Sequence, residues 1–473
     1  MHQPPRHLFL NGPIGTALLR LAIPIMAGNV LQSGYQLTDA FWVGRLGADA
    51  VAAVSISSPV TFLVIAIGAG LGMAGATLSA QYMGAGRPEM VNHVAAQTMM
   101  MVTFTSIVLG GTGYLLAPHF LGLLGVTPAV YDNALSFMRV SFISVIFVFL
   151  YNIFQALMRG VGQTRVPLMI VSGTVLLNFL LDPLYIFGWG PIPAQGVRGA
   201  AMATLTTQAL AAALGILIFL RGQHGIHLRL RNFTPDFAYI KRAFLLGFPG
   251  SVELSTRGLG AIVMSFLVTS FGTTTIAAYG IGINVLNFIT IPAMGLSMAV
   301  STLVGQNIGA GNLPRAARIS RLGAVSGFVV LTLVGCAAWV AAPLIVAFFV
   351  PTDPEVIQHG ARFIRIMCLA WGGIGVQLCI VATFRASGNM LIAMVIALVA
   401  QWMFQFPLAY VLSKHTALHA EGLWWAFPIT NIFAATVSVC WFANGSWKKT
   451  RLTEEDKEVV KVAEELIAEE GIR

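Results

Sequence analysis

Three acidic side chains lie inside long apolar stretches of this chain: Asp39, Asp182 and Glu253. An ionisable group inside a membrane is unfavourable unless it is paired, hydrated or protonated, so each acid is a candidate functional residue. Asp39 lies about six residues before the outer end of its stretch and Asp182 about five, which predicts a similar depth for both. Two carboxylates held close together in an apolar medium repel each other, and a shared proton or a bound cation relieves that repulsion.

Polar residues accompany both acids on their helical faces. Tyr35 lies four residues before Asp39, and Asn178 lies four residues before Asp182. Pro183 removes a backbone donor and leaves a carbonyl oxygen free as a further ligand. This pattern predicts a site for H⁺ or for an oxygen-liking cation. The alternative is that the two acids are unrelated and each is satisfied by a local hydroxyl or by water.

Glu253 is followed at i+4 by Arg257, so the two side chains are expected to face each other on one helix. A buried pair of this kind can neutralise both charges without any role in transport. Glu253 also lies near the middle of the membrane by its position in the stretch, so a functional role is the alternative for this second-lobe charge pair. Both interpretations stay open at this point.

The elements that must position these residues are membrane helices. Only 10% of the 473 residues are charged and 57% are apolar, against roughly 25% and 45–50% in soluble domains. Twelve stretches are long enough to cross a hydrocarbon core of about 30 Å as helices. They cover about 14–44, 50–80, 90–117, 133–158, 166–187, 198–221, 242–270, 276–306, 316–348, 358–384, 390–412 and 420–443.

The chain also repeats itself. Residues 24–86 align without a gap with residues 249–311, and 18 of the 63 aligned positions are identical. The motif QxxGAG occurs in both copies, at 81–86 and 306–311. We therefore predict an all-α polytopic membrane protein with twelve transmembrane helices in two pseudo-symmetric six-helix lobes. The repeat equivalents of Asp39, Asn178 and Asp182 are apolar: Met264, Phe404 and Leu408. If these polar residues served only the packing of helices, both lobes would be expected to carry them. Their presence in one lobe therefore favours an ion site in the first lobe.

Lys and Arg residues concentrate in the loops on one side of these helices, which predicts cytoplasmic termini and an inner (plasma) membrane location. The same bias accounts for the basic charge, so we expect no nucleic-acid partner. The predicted segments are a cytosolic N-terminus, an N-terminal lobe, a cytosolic linker, a C-terminal lobe and a cytosolic amphipathic tail. They cover 1–13, 14–221, 222–241, 242–443 and 444–473.

The sequence lacks the motifs that indicate several kinds of chemistry. There is no GxxxxGK[ST] stretch for ATP hydrolysis, and the four cysteines have no paired metal-ligand spacing. No catalytic constellation is recognisable either. We expect neither enzymatic activity nor a cofactor.

The segments GPIGTALLRLAIPIM and LTDAFWVGRLG, followed by the repeated QxxGAG, resemble the multidrug and toxic compound extrusion (MATE) family over residues 11–443. This resemblance implies two six-helix lobes and export of cationic or amphipathic drugs, driven by inward H⁺ or Na⁺. Asp39, Asn178 and Asp182 match the DinF-like branch, and Thr204 is the nearest match to a threonine expected in helix 6. NorM-like members also carry acids in helices 7 and 10, but helix 10 of this chain has none.

The leading hypothesis is therefore an antiporter, expected to be a monomer, that exchanges small organic compounds for H⁺ across the lipid bilayer. Na⁺ is the alternative coupling ion, with Asp39, Asn178, Asp182 and Thr204 as its ligands. Protons are favoured because sodium needs several oxygen ligands at once, and these residues supply few without water. A lipid-linked saccharide flippase of the wider superfamily is the alternative function.

Overall fold

The computed structural model describes residues 6–191, 193–351 and 353–453, and these form helices joined by short connections. The α-helices are α1 (Arg6–Leu10), α2 (Ile14–Gly44), α3 (Ala48–Ala85), α4 (Pro88–Leu123), α5 (Pro128–Gly160), α6 (Arg165–Phe187), α7 (Val197–Arg221), α8 (Phe237–Thr269), α9 (Thr273–Gly309), α10 (Leu313–Phe349), α11 (Pro354–Cys368), α12 (Trp371–Ala386), α13 (Met390–Leu398), α14 (Phe406–Lys414) and α15 (Ala420–Ala443). Short 3₁₀ turns occupy Leu230–Phe233 and Ser446–Lys448.

Within these described ranges, eleven helical spans are long and apolar enough to cross a membrane. They are α2 to α10, the continuous span Met390–Lys414, and α15. The remaining predicted span, 358–384, is formed by α11 and α12, which together pass the same test but are bent by 48° at the break between them. The predicted all-α, twelve-helix membrane fold is confirmed, with one span broken.

Local sequence explains two irregular places in the second half. α11 begins after Asp353, whose Oδ1 accepts hydrogen bonds from the backbone N–H groups of Glu355 and Val356, as expected of an N-cap aspartate. A π-helical turn at Val399–Gln405 joins α13 to α14. It ends just before Pro407, which has no N–H to donate, so a wider turn accommodates the missing helical hydrogen bond.

One compact unit contains described residues 23–76 and 92–259. In it, the start of α7 lies directly against the end of α6, because a side chain at Gly199 would overlap the carbonyl group of Tyr185. Further along α7, Gly215 leaves room for the Phe154 ring of α5. The first approach holds α6 beside α7 near the predicted ion site, and the second holds α5 against α7.

A second compact unit contains described residues 6–22, 77–91 and 260–453. Its core includes an aromatic group around Phe363, whose ring lies 4.2 Å from that of Trp424 and 5.9 Å from that of Phe427. The boundary at Leu259 falls inside α8, so these units differ in extent from the predicted lobes, whose limits stay a prediction. Most of the predicted amphipathic tail, residues 454–473, lies outside the described residues.

Candidate ion-coupling site

The helix α6 contributes a carboxylate and an amide. Asn178 and Asp182 lie one turn apart, and both side chains are fully buried. Asn178 Nδ2 donates a hydrogen bond to Asp182 Oδ1 at 3.3 Å. Because Pro183 has no N–H, the carbonyl of Phe179 one turn earlier lacks its usual helical donor. This face of α6 therefore presents oxygen acceptors to its neighbours.

Helices α2 and α7 contribute the facing side chains. Asp39 on α2 is half-buried, and its Oδ2 accepts a hydrogen bond from Thr204 Oγ1 of α7 at 3.3 Å. The buried Tyr35 hydroxyl lies 2.8 Å from Thr207 Oγ1. The Thr207 hydroxyl itself donates to an α7 carbonyl at 3.0 Å, so Tyr35 is the donor in this pair. Two hydroxyl contacts thus connect α2 to α7.

Thr207 is a site residue that the sequence analysis missed. It follows Thr204 by three residues, and this spacing places both hydroxyls on the same face of α7. The neighbouring Thr206 also donates to a carbonyl of its own helix, that of Met202, but only Thr207 of the two has a contact with Tyr35. Helical periodicity could have selected Thr207, but its partner Tyr35 lies 172 residues earlier in the chain.

The two carboxyl groups meet. Asp39 and Asp182 lie within hydrogen-bonding reach of each other, and Asn178 contacts both. Three buried oxygens of this cluster have no donor among the described residues: Asp39 Oδ1, Asn178 Oδ1 and Asp182 Oδ2. A carboxylate pair can form a hydrogen bond only if it holds a proton, so the cluster has the chemistry to bind H⁺ or a cation.

The equivalent place in the second repeat is apolar. Met264 is buried, and Phe404 stacks on Phe433 with ring centroids 4.2 Å apart. Leu408 packs against the core of the second unit. These three residues correspond to Asp39, Asn178 and Asp182, so the polar cluster belongs to one repeat only.

Glu253 and Arg257 form the intrahelical ion pair that their spacing predicts. The distance from Arg257 Nη2 to Glu253 Oε1 is 3.1 Å, and the Glu253 side chain is 1% exposed against 46% for Arg257. The sequence predicts this pair in the C-terminal lobe, whereas both residues belong to the first compact unit of the structure. There, Gly250 and Ser251 of the same turn lie against Gly70 and Ile67 of α3.

Comparison with known proteins decides the family. The model described as MatE matches residues 24–184 and residues 250–411, so each half of the chain matches the same model. The chain belongs to the MatE family.

Relatives of this MatE protein align over most of their length. It is 30% identical to the probable multidrug resistance protein YoeA of Bacillus subtilis, over 91% of this chain and 94% of the relative. It is 28% identical to the probable multidrug resistance protein NorM of Thermotoga maritima, over 91% and 93%. A relative in Shewanella oneidensis, 28% identical over 90% and 94%, is a FAD transporter.

Solved structures share the fold of this MatE protein. One is titled the outward-facing conformation of a multidrug resistance MATE family transporter of the MOP superfamily. The TM-score is 0.88 at 22% sequence identity, covering 95% of this chain and 100% of that one. This similarity establishes the arrangement of helices, and the side chains of the site must be argued from this chain itself.

Two helices of this MatE protein cross at the repeated QxxGAG motifs, within the second compact unit. A side chain at Gly84 of α3 would overlap the backbone of Gln306 in α9. A side chain at Gly309 of α9 would likewise overlap the backbone of Gln81 in α3. The two motifs therefore touch reciprocally, backbone against backbone, and only glycine permits this approach.

Segments from both ends of the chain bind to this crossing. The Gln81 side chain donates to the Ala386 carbonyl at 2.8 Å and accepts from the Leu452 N–H at 3.0 Å. Arg451 Nη2 donates to the Gly309 carbonyl at 2.6 Å. At the other end of the chain, the Phe9 carbonyl accepts from Asn307 Nδ2 at 3.2 Å. Three further parts of the sequence thus converge where α3 and α9 cross.

Proposed function

We propose that this MatE protein is a secondary active transporter that exports cationic or amphipathic organic compounds in exchange for protons. The names of the relatives support the substrate class, since two of them are multidrug resistance proteins. The coupling part of the proposal rests on one observation. Asp39, Asn178 and Asp182 present three buried oxygens without a protein donor, although two of them belong to carboxyl groups that face each other.

Proton coupling follows from the composition of this cluster. One proton placed between Asp39 and Asp182 converts a repulsive pair of acceptors into a donor and an acceptor. Sodium would need several oxygen ligands together, and the cluster offers three unsatisfied oxygens. The carbonyl of Phe179 could add a fourth. The proton requires no further ligand, which is why we favour it.

Binding of this ion must favour one conformation of the transporter over the other. A ligand with equal affinity for two states shifts nothing between them. Asp39 lies on α2 and Asp182 on α6, so protonation changes the attraction between two helices rather than within one. Movement of α2 relative to α6 therefore alters the affinity for the proton, and the proton alters that movement in return.

The coupling ion can be identified with purified protein in liposomes. An imposed pH gradient at constant Na⁺ is expected to drive the transport of a fluorescent cationic dye. An imposed Na⁺ gradient at constant pH is expected to leave dye transport at the level of protein-free liposomes. Transport that responds to Na⁺ and ignores the pH gradient would replace H⁺ by Na⁺ in the proposal. Failure of both gradients would contradict ion-coupled drug export.

We propose that the crossing of α3 and α9 closes the transporter to the cytoplasm during the alternating-access cycle. The QxxGAG motifs lie on the side of the membrane where Lys and Arg residues concentrate, which is the cytoplasmic side by the positive-inside rule. Access from the cytoplasm then requires these backbone contacts to separate. In this proposal Gly84 and Gly309 make a close and reversible contact, and the protein resides in the plasma membrane.

We predict that the linker and the C-terminal segment both face the cytoplasm. In a variant whose four native cysteines are replaced by alanine, single cysteines at Gln223 and Lys449 should resist a membrane-impermeant thiol reagent applied to intact cells. Both positions are exposed, so inverted membrane vesicles should allow labelling. A cysteine at the exposed Asp49, in the first turn of α3 on the opposite side, serves as the control and should show the reverse pattern. Labelling of Gln223 and Lys449 in intact cells would overturn the topology.

A further inference from the structure

A polar recess lies in the first compact unit, away from the carboxylate pair. Its cavity volume is about 30 Å³, and it is partly open to the surroundings. Its walls come from α2, α5 and the start of α6. Four polar side chains line it, which are Asn29, Gln155, Arg159 and Thr164. We refer to it as the Arg159 recess.

Arg159 carries the only charge among the residues that line this recess. Its side chain is half-buried, and within the described ranges no acid and no carbonyl group is bonded to the guanidinium. The neighbouring Tyr151 does not serve as a counter-ion, since its hydroxyl donates to the Pro167 carbonyl at 3.2 Å. By contrast, Arg257 on α8 has a carboxylate partner. A partly buried cation without a partner is unfavourable, and an anion that enters the recess would compensate it.

The other groups around the recess are suited to the same ligand. The side chains of Asn29, Gln155 and Thr164 have no hydrogen bond to any described residue, so their donors are available. Thr164 is also the N-cap residue of α6, and it makes no capping bond with its own side chain. The N-terminus of a helix of 23 residues carries a partial positive charge and free N–H groups. Guanidinium, amide, hydroxyl and helix N-terminus together favour an oxyanion.

We propose that the Arg159 recess binds a phosphate group. A planar guanidinium forms paired hydrogen bonds with phosphate oxygens, and the remaining donors can bind the other oxygens of a tetrahedral group. Basic pockets between membrane helices on the cytoplasmic side are suited to lipid headgroups, and Arg159 precedes a loop predicted to be cytoplasmic. The phosphate therefore comes either from an inner-leaflet phospholipid or from a soluble phosphate compound. The inference does not depend on the proposed transport function.

Native mass spectrometry and thermal unfolding of the purified protein in detergent test this site. One arm adds phosphatidylglycerol, with diacylglycerol as the matched lipid that lacks a phosphate. The other arm adds inorganic phosphate, with chloride at equal ionic strength as the reference. We expect Arg159→Gln to weaken the phosphate-dependent binding by about tenfold or more, the usual effect of losing a charge-assisted hydrogen bond. Arg165→Gln removes the same charge from an exposed position at the start of α6 and should leave binding unchanged.

Each outcome decides the proposal. Binding of phosphatidylglycerol alone identifies the headgroup as the ligand, and protection by inorganic phosphate identifies a soluble source. Equal binding by the wild type and Arg159→Gln, or equal losses in Arg159→Gln and Arg165→Gln, would overturn the site. Should Arg159→Gln fail to fold, Thr164→Val keeps the charge, removes one donor and should weaken binding by a smaller factor. Unchanged binding in Thr164→Val would then contradict the proposed geometry.

Discussion

Replacing Asp39 or Asp182 by asparagine is expected to abolish gradient-driven efflux while the protein still folds and inserts. The amide keeps the shape of the carboxyl group, but it cannot gain and lose a proton. It also provides a permanent donor to the opposite carboxylate, whose facing oxygen otherwise lacks one. Each variant should therefore resemble the protonated protein permanently, so that it no longer alternates between its two conformations. Dye transport in proteoliposomes measures the loss, and a thermal unfolding curve shows that the fold is retained.

Two matched variants define the specificity of this effect. Asp49→Asn alters an exposed acid in the first turn of α3 and should transport at the wild-type rate. Glu253→Gln should have a smaller effect, because glutamine still offers an oxygen to Arg257 at the same position. Normal efflux in both Asp39→Asn and Asp182→Asn would remove the ion-site argument. A loss in Glu253→Gln equal to theirs would move the coupling role to α8.

The sequence predicted those features that depend on composition and on local spacing. Long apolar stretches determine membrane helices, and the i, i+4 spacing of Asn178 and Asp182 determines that they meet on one turn of α6. The depth of Asp39 indicated that it could reach them, and its proximity to Asp182 and Asn178 agrees with that expectation. In each case a short-range rule was sufficient, because the backbone geometry of a helix is regular.

Features that depend on how distant helices pack were not predictable in this way. The 48° bend between α11 and α12 has no proline at the break, so the apolar pattern predicted one continuous span. The partnership of Tyr35 with Thr207 and the cavity beside Arg159 both need the three-dimensional neighbours. The repeated QxxGAG was visible, but only the crossing of α3 and α9 gives a reason for its glycines.

That crossing leads to the second large effect that we expect. In Gly309→Ala, the new methyl group would overlap the backbone of Gln81, and the neighbouring atoms are main-chain atoms that cannot rotate away. α3 and α9 must then separate, so the proposed cytoplasmic closure should fail and gradient-driven efflux should be lost. A cysteine at Ser79, which is fully buried in α3, reports the separation. With the four native cysteines replaced by alanine and no gradient applied, it should react with a thiol reagent in the Gly309→Ala background and stay protected in the parent protein.

The control for this experiment lies on the same helix. Gly280→Ala also adds a methyl group within α9, but no atom lies within 4 Å of the added carbon, so packing should not change. It should transport dye normally and keep Ser79→Cys protected. Full efflux together with a reactive Ser79→Cys in Gly309→Ala would show that the crossing tolerates separation without consequence. The closure would then have to be sought elsewhere, whereas the carboxylate pair, which lies on α2 and α6, would be unaffected by that result.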